Sequence, residues 1–511
     1  MTDLEIEQRK CIAELREKLE ITQRQLDLLI RHVFGKKSEQ TPPPPVPGQM
    51  DLELEVENEA IENAPPLKQG KPKGGSRKGR KVRGALLPDD LPVEETVIIP
   101  PAVQAEPDRW REIDREVSER LERIPGKLIR QRLIRPVFVS LDEPYAPPVT
   151  APAPPQLIPG GFFGPRFLAD MVLDKHLRHL PLYRQAQGVK WESGVILSAA
   201  TMCQTIARVA DLVDPVMRAM AHELWRSPCV QMDLTPVRCL SRRHEGGSFL
   251  GHMWVAAVPG GDVLFTWDKS KAAAVAERII PADYKGVLQT DGGSELACFL
   301  RGGKGRHRPP SPATQAACWA HVRRKFFDGA KDGCLICKRL LKLINVLYRI
   351  EGDARKRGMS PADRLLLRQR RARRVIAKLR RRMDAVIKEE RPKSRAGTAC
   401  LYALGQWKPL LVFLERGEVE LDNNSIENAI RPCALGRKNW MFIGDAGAGQ
   451  RAATLYSLIG SCLRRGINPR GYLHWLFTRL PSATNQTVHT LTPAAYATLQ
   501  SAGTVDTDCA A

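Results

Sequence analysis

No run of about eighteen consecutive apolar residues occurs in the chain, so no membrane-spanning helix is expected. The start, Met1-Thr2-Asp3-Leu4-Glu5, is acidic and lacks the apolar core of a secretory signal, so the expected compartment is the cytoplasm. Cysteine is sparse, with 12 in 511 residues, and it is scattered rather than grouped into a disulfide framework. These cysteines read as reduced thiols. Negative charge is in the minority: 57 Asp and Glu stand against 79 Lys and Arg, giving a formal net charge of +22 and a pI near 9.7. That balance calls for a polyanionic partner, without choosing among DNA, RNA and an anionic membrane. Hydrophobic residues make up 43%, enough for real cores, and the length calls for several domains.

Residues 1–40 form the first segment. Ile12, Leu15, Leu19, Thr22, Leu26, Leu29 and Val33 alternate spacings of three and four, a heptad seam with one polar position. Either the helix packs on its own domain or it pairs subunits through residues 12–33, and its isolation favours pairing. Residues 41–100 form a linker, with helix breakers at Thr41 to Gly48 and a Gly-rich basic arm at 68–83 that suits both a solvated linker and non-specific phosphate contact. Residues 101–143 form a small polar unit, and 144–160 a second Pro-rich linker. Within 161–225 three helical stretches are expected, Phe167–Leu177, Leu182–Gln187 and Leu197–Leu212, with Gly188 and Gly194 in a connecting turn. They read as a helix-turn-helix or as a small bundle.

Residues 226–330 change texture. Strands are expected at Cys229–Met232, Phe249–Val258, Val263–Trp267, Gly286–Thr290 and Ala316–Trp319, with a turn at Gly260-Gly261-Asp262 and a helix over Lys271–Ile280. That order suits a mixed sheet covered by helices. Residues 331–415 read as a basic helical insertion, with charge on every side of Arg368–Arg382. Residues 416–480 are helical with short breaks, and the tail 481–511 reads as loose.

Two of these strands end on carboxylates, Asp233 and Asp291, the latter followed by Gly292 and Gly293. Asp291 follows Asp233 by 291 − 233 = 58 residues, room for a hairpin and a helix that return the second strand beside the first. Glu427 lies on a later helix, with Arg431 one turn on. Two strand-end aspartates and a helical glutamate suit a two-metal phosphoryl-transfer site, because Mg2+ takes hard oxygen ligands and a close ion pair can serve both the attacking and the leaving oxygen. A turn-capping Asp and a helix-surface Glu–Arg pair are the structural alternatives. Cys318-x2-His321 followed by Cys334-x2-Cys337 has metal-like spacing, although buried cysteines at a helix start explain it as well.

Long runs carry a resemblance. Leu421-Asp422-Asn423-Asn424-Ser425-Ile426-Glu427-Asn428-Ala429-Ile430-Arg431-Pro432, Leu435-Gly436-Arg437-Lys438-Asn439-Trp440-Met441-Phe442 and Cys318-Trp319-Ala320-His321-Val322-Arg323-Arg324-Lys325-Phe326 resemble transposases of the insertion sequence 66 family. So do Leu347 to Glu351, Leu180 to Gln185 and Asn468 to Leu473. The resemblance implies an α/β chain with a ribonuclease H-like catalytic domain of the DDE type. That domain is interrupted by the helical insertion and preceded by an N-terminal coiled coil and a helical DNA-binding region. It implies Asp233, Asp291 and Glu427 as catalytic and metal-binding residues. Arg431, Arg437, Lys438, Arg323, Arg324 and Lys325 become DNA contacts. The implied cofactor is Mg2+ in a two-metal site, with Mn2+ able to replace it. The implied partners are element-end and target DNA, a second copy of the chain and small accessory proteins of the element. The location is then cytoplasmic, at the nucleoid, with no membrane.

Three departures from the family pattern stand out. Leu234 follows Asp233 where the family usually has Glu, and Gly293 stands where a Tyr is common. Residues 101–150 resemble the family's zinc module in Trp110-Arg111-Glu112-Ile113 and Ile124-Pro125-Gly126 but contain no cysteine, so no zinc is expected there. These departures keep open an alternative: a catalytically impaired, transposase-derived DNA-binding protein.

Overall fold

The computed structural model describes residues 128–138, 149–150, 152–241, 247–302 and 310–504. The expected zipper at 12–33, the basic arm at 68–83 and most of the 101–143 unit lie outside them. The chain divides into two units, Met1–Ile129 and Arg130–Ala511, and every described element belongs to the second.

A short antiparallel pair, β1 (Val137–Phe138) and β2 (Val149–Thr150), comes first. Four helices follow: α1 (Pro165–His176), α2 (Leu182–Ser193), α3 (Ala199–Leu212) and α4 (Asp214–Trp225). Gly188 lies inside α2 rather than in a turn. Gly194 ends α2 with φ +72°, a left-handed cap that costs a glycine little, and Ser198 caps α3 by accepting the Thr201 N–H. These helices share one core with the sheet and with the last helices, uniting Leu168, Met202, Val216, Met232, Trp254 and Leu458. Side chains this large each contribute about 1.5–3 kcal/mol when fully buried.

The sheet is built from β3 (Cys229–Leu240), β4 (Ser248–Ala257), β5 (Val263–Asp268), β6 (Val287–Thr290) and β7 (Thr314–Ala317), in the order β5-β4-β3-β6-β7. The first three strands are antiparallel neighbours, and β6 and β7 join β3 in parallel. Helices α5 (Ala273–Ile279) and α6 (Ser294–Arg301) flank β6 in sequence. This is a mixed α/β architecture with the expected β-β-β-α-β-α-β order.

β3 is much longer than its apolar run suggested and continues past Asp233 to Leu240 despite Pro236. Its pairing with β6 stops at Gln231–Gln289, so Pro236 lies where that side of β3 has no neighbouring strand. Segment 443–444 covers this free edge: Ile443 N–H donates to the Arg238 carbonyl and Leu240 N–H to that of Gly444. The outer edge of β5 is closed differently. Its Val263, Phe265 and Trp267 N–H groups donate to Ser461, Ser457 and Gln450 on α14 (Ala446–Arg464), so no unpaired ladder is left open.

After β7 the chain is helical: α7 (Trp319–Lys331), α8 (Leu335–Lys356), α9 (Pro361–Leu367), a π turn at Arg368–Ala372, α10 (Arg373–Glu389), α11 (Arg395–Gly405) and α12 (Trp407–Leu411). This block builds its own core around Phe326, Leu340, Ile344 and Leu379, joined to Cys229, Val287 and Ala316 of the sheet. α13 (Asn424–Trp440) and α14 cover the rest of that sheet face, packing Ile426, Ile430, Cys433 and Tyr456 on Val255 and Phe265. α15 (Pro469–Arg479) and α16 (Pro493–Ser501) close the fold on the other face. The tail read as loose is therefore ordered through Thr504. Thr492 caps α16, Pro493 opens it, Tyr496 packs 5.0 Å from Trp475, and the Tyr472 hydroxyl donates to the Leu491 carbonyl. Nine residues are too short for a clear periodic signal. Among the described residues no helix is long and apolar enough to cross a membrane.

Candidate active site

β3 and β6 pair with a constant offset: Cys229 opposes Val287, Val230 opposes Leu288 and Gln231 opposes Gln289. That offset of 58 is the one that separates Asp233 from Asp291. Carried two residues further, the same offset sets Asp233, inside β3, opposite Asp291, the first residue after β6. Asp233 is inside a strand rather than at its end; what ends near it is the parallel pairing. Both aspartates line a cleft of about 140 Å³ together with Gly293 and Glu295.

Backbone chemistry shapes this cleft. Asp291 Oδ1 accepts the Gly293 N–H at 2.8 Å, an Asx turn that starts α6. Gly292 has φ +85°, and a Cβ there would lie 2.5 Å from Gln406 Oε1, so both conformation and space call for glycine. A Cβ at Gly293 would sit 3.1 Å from Asp291 Oδ1 and 3.3 Å from Glu295 Oε2. Its absence keeps the cleft open between those carboxylates.

Burial pushes the Asp233 carboxyl up to about 7, and the negative charges of Asp291 and Glu427 push in the same direction; the Leu234 N–H, 2.7 Å from Oδ1, works against them. Glu427 is half-buried in the first turn of α13, where its charge reaches Asp233. No cation contributes to the Asp233 shift. Among the described residues, no three His, Cys, Asp or Glu side chains are gathered tightly enough to share one ion. Leu234 packs with the core of the opposite sheet face and also lines the cleft beside Asp233 and Asp291.

The start of α13 is held by two glutamines that the sequence pattern did not single out. Gln231 and Gln289 are fully buried on the face of the aspartates, each two residues before one of them. The signal was present as a repeated Gln-x-Asp, in Gln231-Met232-Asp233 and Gln289-Thr290-Asp291. Glu295 went unnoticed as well. It opens α6 beside the cleft and pairs with Lys271 at 3.1 Å.

The basic residues assigned to DNA divide into two groups. Arg437 ties α13 to β3 by donating to the Pro236 carbonyl and to Thr235 Oγ1. Arg323 donates to Asn345 at 2.9 Å and lies over the Tyr348 ring, linking α7 to α8. Arg324, Lys325, Arg431 and Lys438 are exposed. The thiols of the metal-like Cys/His spacing make local contacts: Cys318 Sγ accepts the Asn423 N–H and Cys334 Sγ that of Cys337. A larger cleft of about 510 Å³, lined by Leu157, Pro159, Leu212, Pro481 and Val488 among others, carries no ionisable side chain.

Comparison with known proteins bears on this site. A family model described as "Transposase IS66 family" matches residues 160–451, which contain Asp233, Asp291 and Glu427. A second, described as "Transposase C of IS166 homeodomain", matches residues 23–96, outside the described residues. The chain is similar to three proteins of Sinorhizobium fredii. "Uncharacterized protein y4jD" is 31% identical over 411 residues, covering 78% of each chain. "Uncharacterized protein y4hP" is 27% identical over 492 residues, covering 89% of this chain and 85% of its own. "Uncharacterized protein y4qI" is 29% identical over 381 residues, covering 72% and 68%.

Proposed function

The chain belongs to the IS66 family of transposases, and from that premise we propose that it cuts phosphodiester bonds at element ends and joins the freed ends to target DNA. In this reading residues 226–330 and 416–480 make a ribonuclease H-like domain with the 331–415 block inserted between them. Asp233, Asp291 and Glu427 form its DDE triad. The observation that carries the reading is the cleft shared by Asp233 and Asp291, with β3 and β6 paired in parallel up to two residues before each of them. The donor set fits a divalent cation in kind, because Asp233, Asp291 and Glu295 line one cleft with hard carboxylate oxygens and the charge of Glu427 reaches Asp233.

Asp233, Asp291 and Glu427 would hold a pair of Mg2+ or Mn2+ ions, which would polarise the scissile phosphate and stabilise charge on the attacking and leaving oxygens. The rest of the chemistry rests on the chain. Asp233 within β3 and Asp291 just past the end of β6 fix one end of the site, and α13 brings the third carboxylate from a separate element. Water attacks first and releases a 3′-hydroxyl, which then attacks target DNA; both are in-line displacements that one site can serve. Exposed Arg324, Lys325, Arg431 and Lys438 supply cationic contacts to the DNA backbone. A second copy pairs through residues 12–33 to hold two ends together, and small accessory proteins of the element complete the partners.

The test is cleavage and strand transfer on a duplex carrying the inverted repeat that flanks the gene, with Mg2+ or Mn2+. Asp233→Ala, Asp291→Ala and Glu427→Ala should each abolish both products and leave DNA binding intact. Near wild-type cleavage by one variant removes that residue from the triad. A second reading, a DNA-binding protein without cleavage, draws on the absence of a tight three-residue metal cluster among the described residues. It predicts binding to the repeat with no product in either metal.

A further inference from the structure

We propose that Gln231 and Gln289 are positioning residues that set Glu427 against the Asp233–Asp291 pair, an inference that rests on the triad reading above. Gln231 Nε2 donates to Gln289 Oε1 and to the Asp422 carbonyl, each at 3.0 Å, while its Oε1 accepts from the Ser425 hydroxyl. Gln289 Nε2 donates to the Glu420 carbonyl at 2.6 Å. One amide therefore bridges β3 to β6, and the pair grips the segment Glu420–Ser425 at three points. Ser425 lies in the first turn of α13, two residues before Glu427.

Buried amides are costly unless their hydrogen bonds are made, and here they are made to each other, to the Ser425 hydroxyl and to two main-chain carbonyls. An apolar pair of similar volume would fill the same space but could not grip the carbonyls of residues 420 and 422. Because each glutamine precedes an aspartate by two residues on the same strand face, any shift of strand register would move both the carboxylates and the grip together. Neighbouring contacts act in the same direction: Asn423 Nδ2 donates to the Met232 carbonyl, and the Asn423 N–H reaches Cys318 Sγ. On its far side the segment is held by Arg355 and Arg364, which both bind the Glu420 carboxylate. The third carboxylate is thus delivered by a segment fixed from two sides.

The test uses the full chain with Gln231→Leu, Gln289→Leu, the double variant and Ser425→Ala. Mn2+ affinity is read by electron paramagnetic resonance, DNA affinity with Ca2+, and single-turnover cleavage with Mg2+ and Mn2+. Each Leu variant should lose roughly ten- to a hundredfold in Mn2+ affinity and cleavage rate, the range seen when groups that orient metal ligands are removed, with DNA affinity unchanged. The double variant should lose little more than either single one, because the pair acts as a unit. Wild-type Mn2+ affinity in both Leu variants overturns the inference; if Asp233→Ala still abolishes cleavage, the triad reading stands. If the wild-type chain makes no product in either metal, the triad reading falls and Mn2+ affinity still decides the role of the glutamines. Should a Leu variant fail to fold, Ser425→Ala keeps both glutamines and removes one grip. A several-fold fall in Mn2+ affinity supports the proposal, and no change overturns it.

Discussion

Arg368 and Glu351 form a two-point ion pair in the interior of the helical block, Nε to Oε1 and Nη2 to Oε2, both at 2.7 Å. The arginine is wholly buried, at 0% exposure, and lies over the Phe413 ring. Its remaining donor atom reaches the carbonyls of Phe413 and Arg416, at the start of the segment that returns to α13. Arg368 opens the π turn Arg368–Ala372, in which it and Ala372 are buried while Arg370 and Arg371 are exposed. The expectation of charge on every side of Arg368–Arg382 is therefore corrected: one arginine is a core residue, and Arg371 and Arg380 pair with Asp353 and Asp384.

Removing one partner of such a pair leaves an uncompensated buried charge. Arg368→Ala should destabilise the fold by about 3–5 kcal/mol in urea denaturation. A combined Arg368→Met, Glu351→Leu variant should recover much of that loss, because no charge then stays buried alone. A loss under about 1 kcal/mol in the single variant would show the pair to be solvated in solution.

His176 offers a test by pH. It is buried, its Nδ1 donates to the Val172 carbonyl at 2.9 Å, and its ring meets Tyr456 edge-on at 5.2 Å. Burial first, and then the charge of Lys175, push its pKa down to about 3. The unfolded chain binds this proton near pH 6.5, so above that value both states are neutral and pH has no effect through this group. Below it the unfolded state gains a proton that the folded state refuses. Stability is then lost through the window from about 6.5 down to about 3, by at most about 1.4 kcal/mol per pH unit. His176→Phe, which keeps an aromatic ring against Tyr456, should flatten this slope between pH 6.5 and 4.5. An identical slope in both proteins would assign the acid sensitivity to other groups.

The strands were legible because alternation and apolar runs report a sheet directly: Val287–Thr290 and Val263–Asp268 fall where the pattern put them. The full length of β3 was not legible, since Thr235 and Pro236 interrupt the pattern and are tolerated only because β6 stops short of them. The carboxylates could be found one by one. Their shared level depended on a register that no local pattern carries. Gln231 and Gln289 were overlooked because buried amides resemble surface residues in a sequence, and only their partners across 58 and 191 positions reveal them. For the same reason Arg368 looked like one more surface arginine.

The exposed face of α10 offers a test of further backbone contact with DNA. Its apolar stripe, Ile376, Leu379, Met383 and Val386, is buried at spacings of three and four. Arg374, Lys378, Arg381 and Lys388 follow the same periodicity on the opposite, exposed face. Arg370 and Arg373 are exposed just before and at the helix start. Neutralising Arg370, Arg373, Arg374 and Arg381 should weaken binding to all duplexes about equally, because phosphate contacts carry no sequence information. It should also flatten the slope of log affinity against log salt by roughly 0.9 for each duplex phosphate no longer neutralised, and so by up to about 3.6 for all four. Arg380 provides the control. It pairs with Asp384 at 2.8 Å and lies over Trp407, so neutralising it alone should leave the slope nearly unchanged. If the fourfold variant retains the wild-type slope and affinity, these arginines only solvate the block, and its contribution is the grip of Arg355, Arg364 and Arg368 on the segment that leads to Glu427.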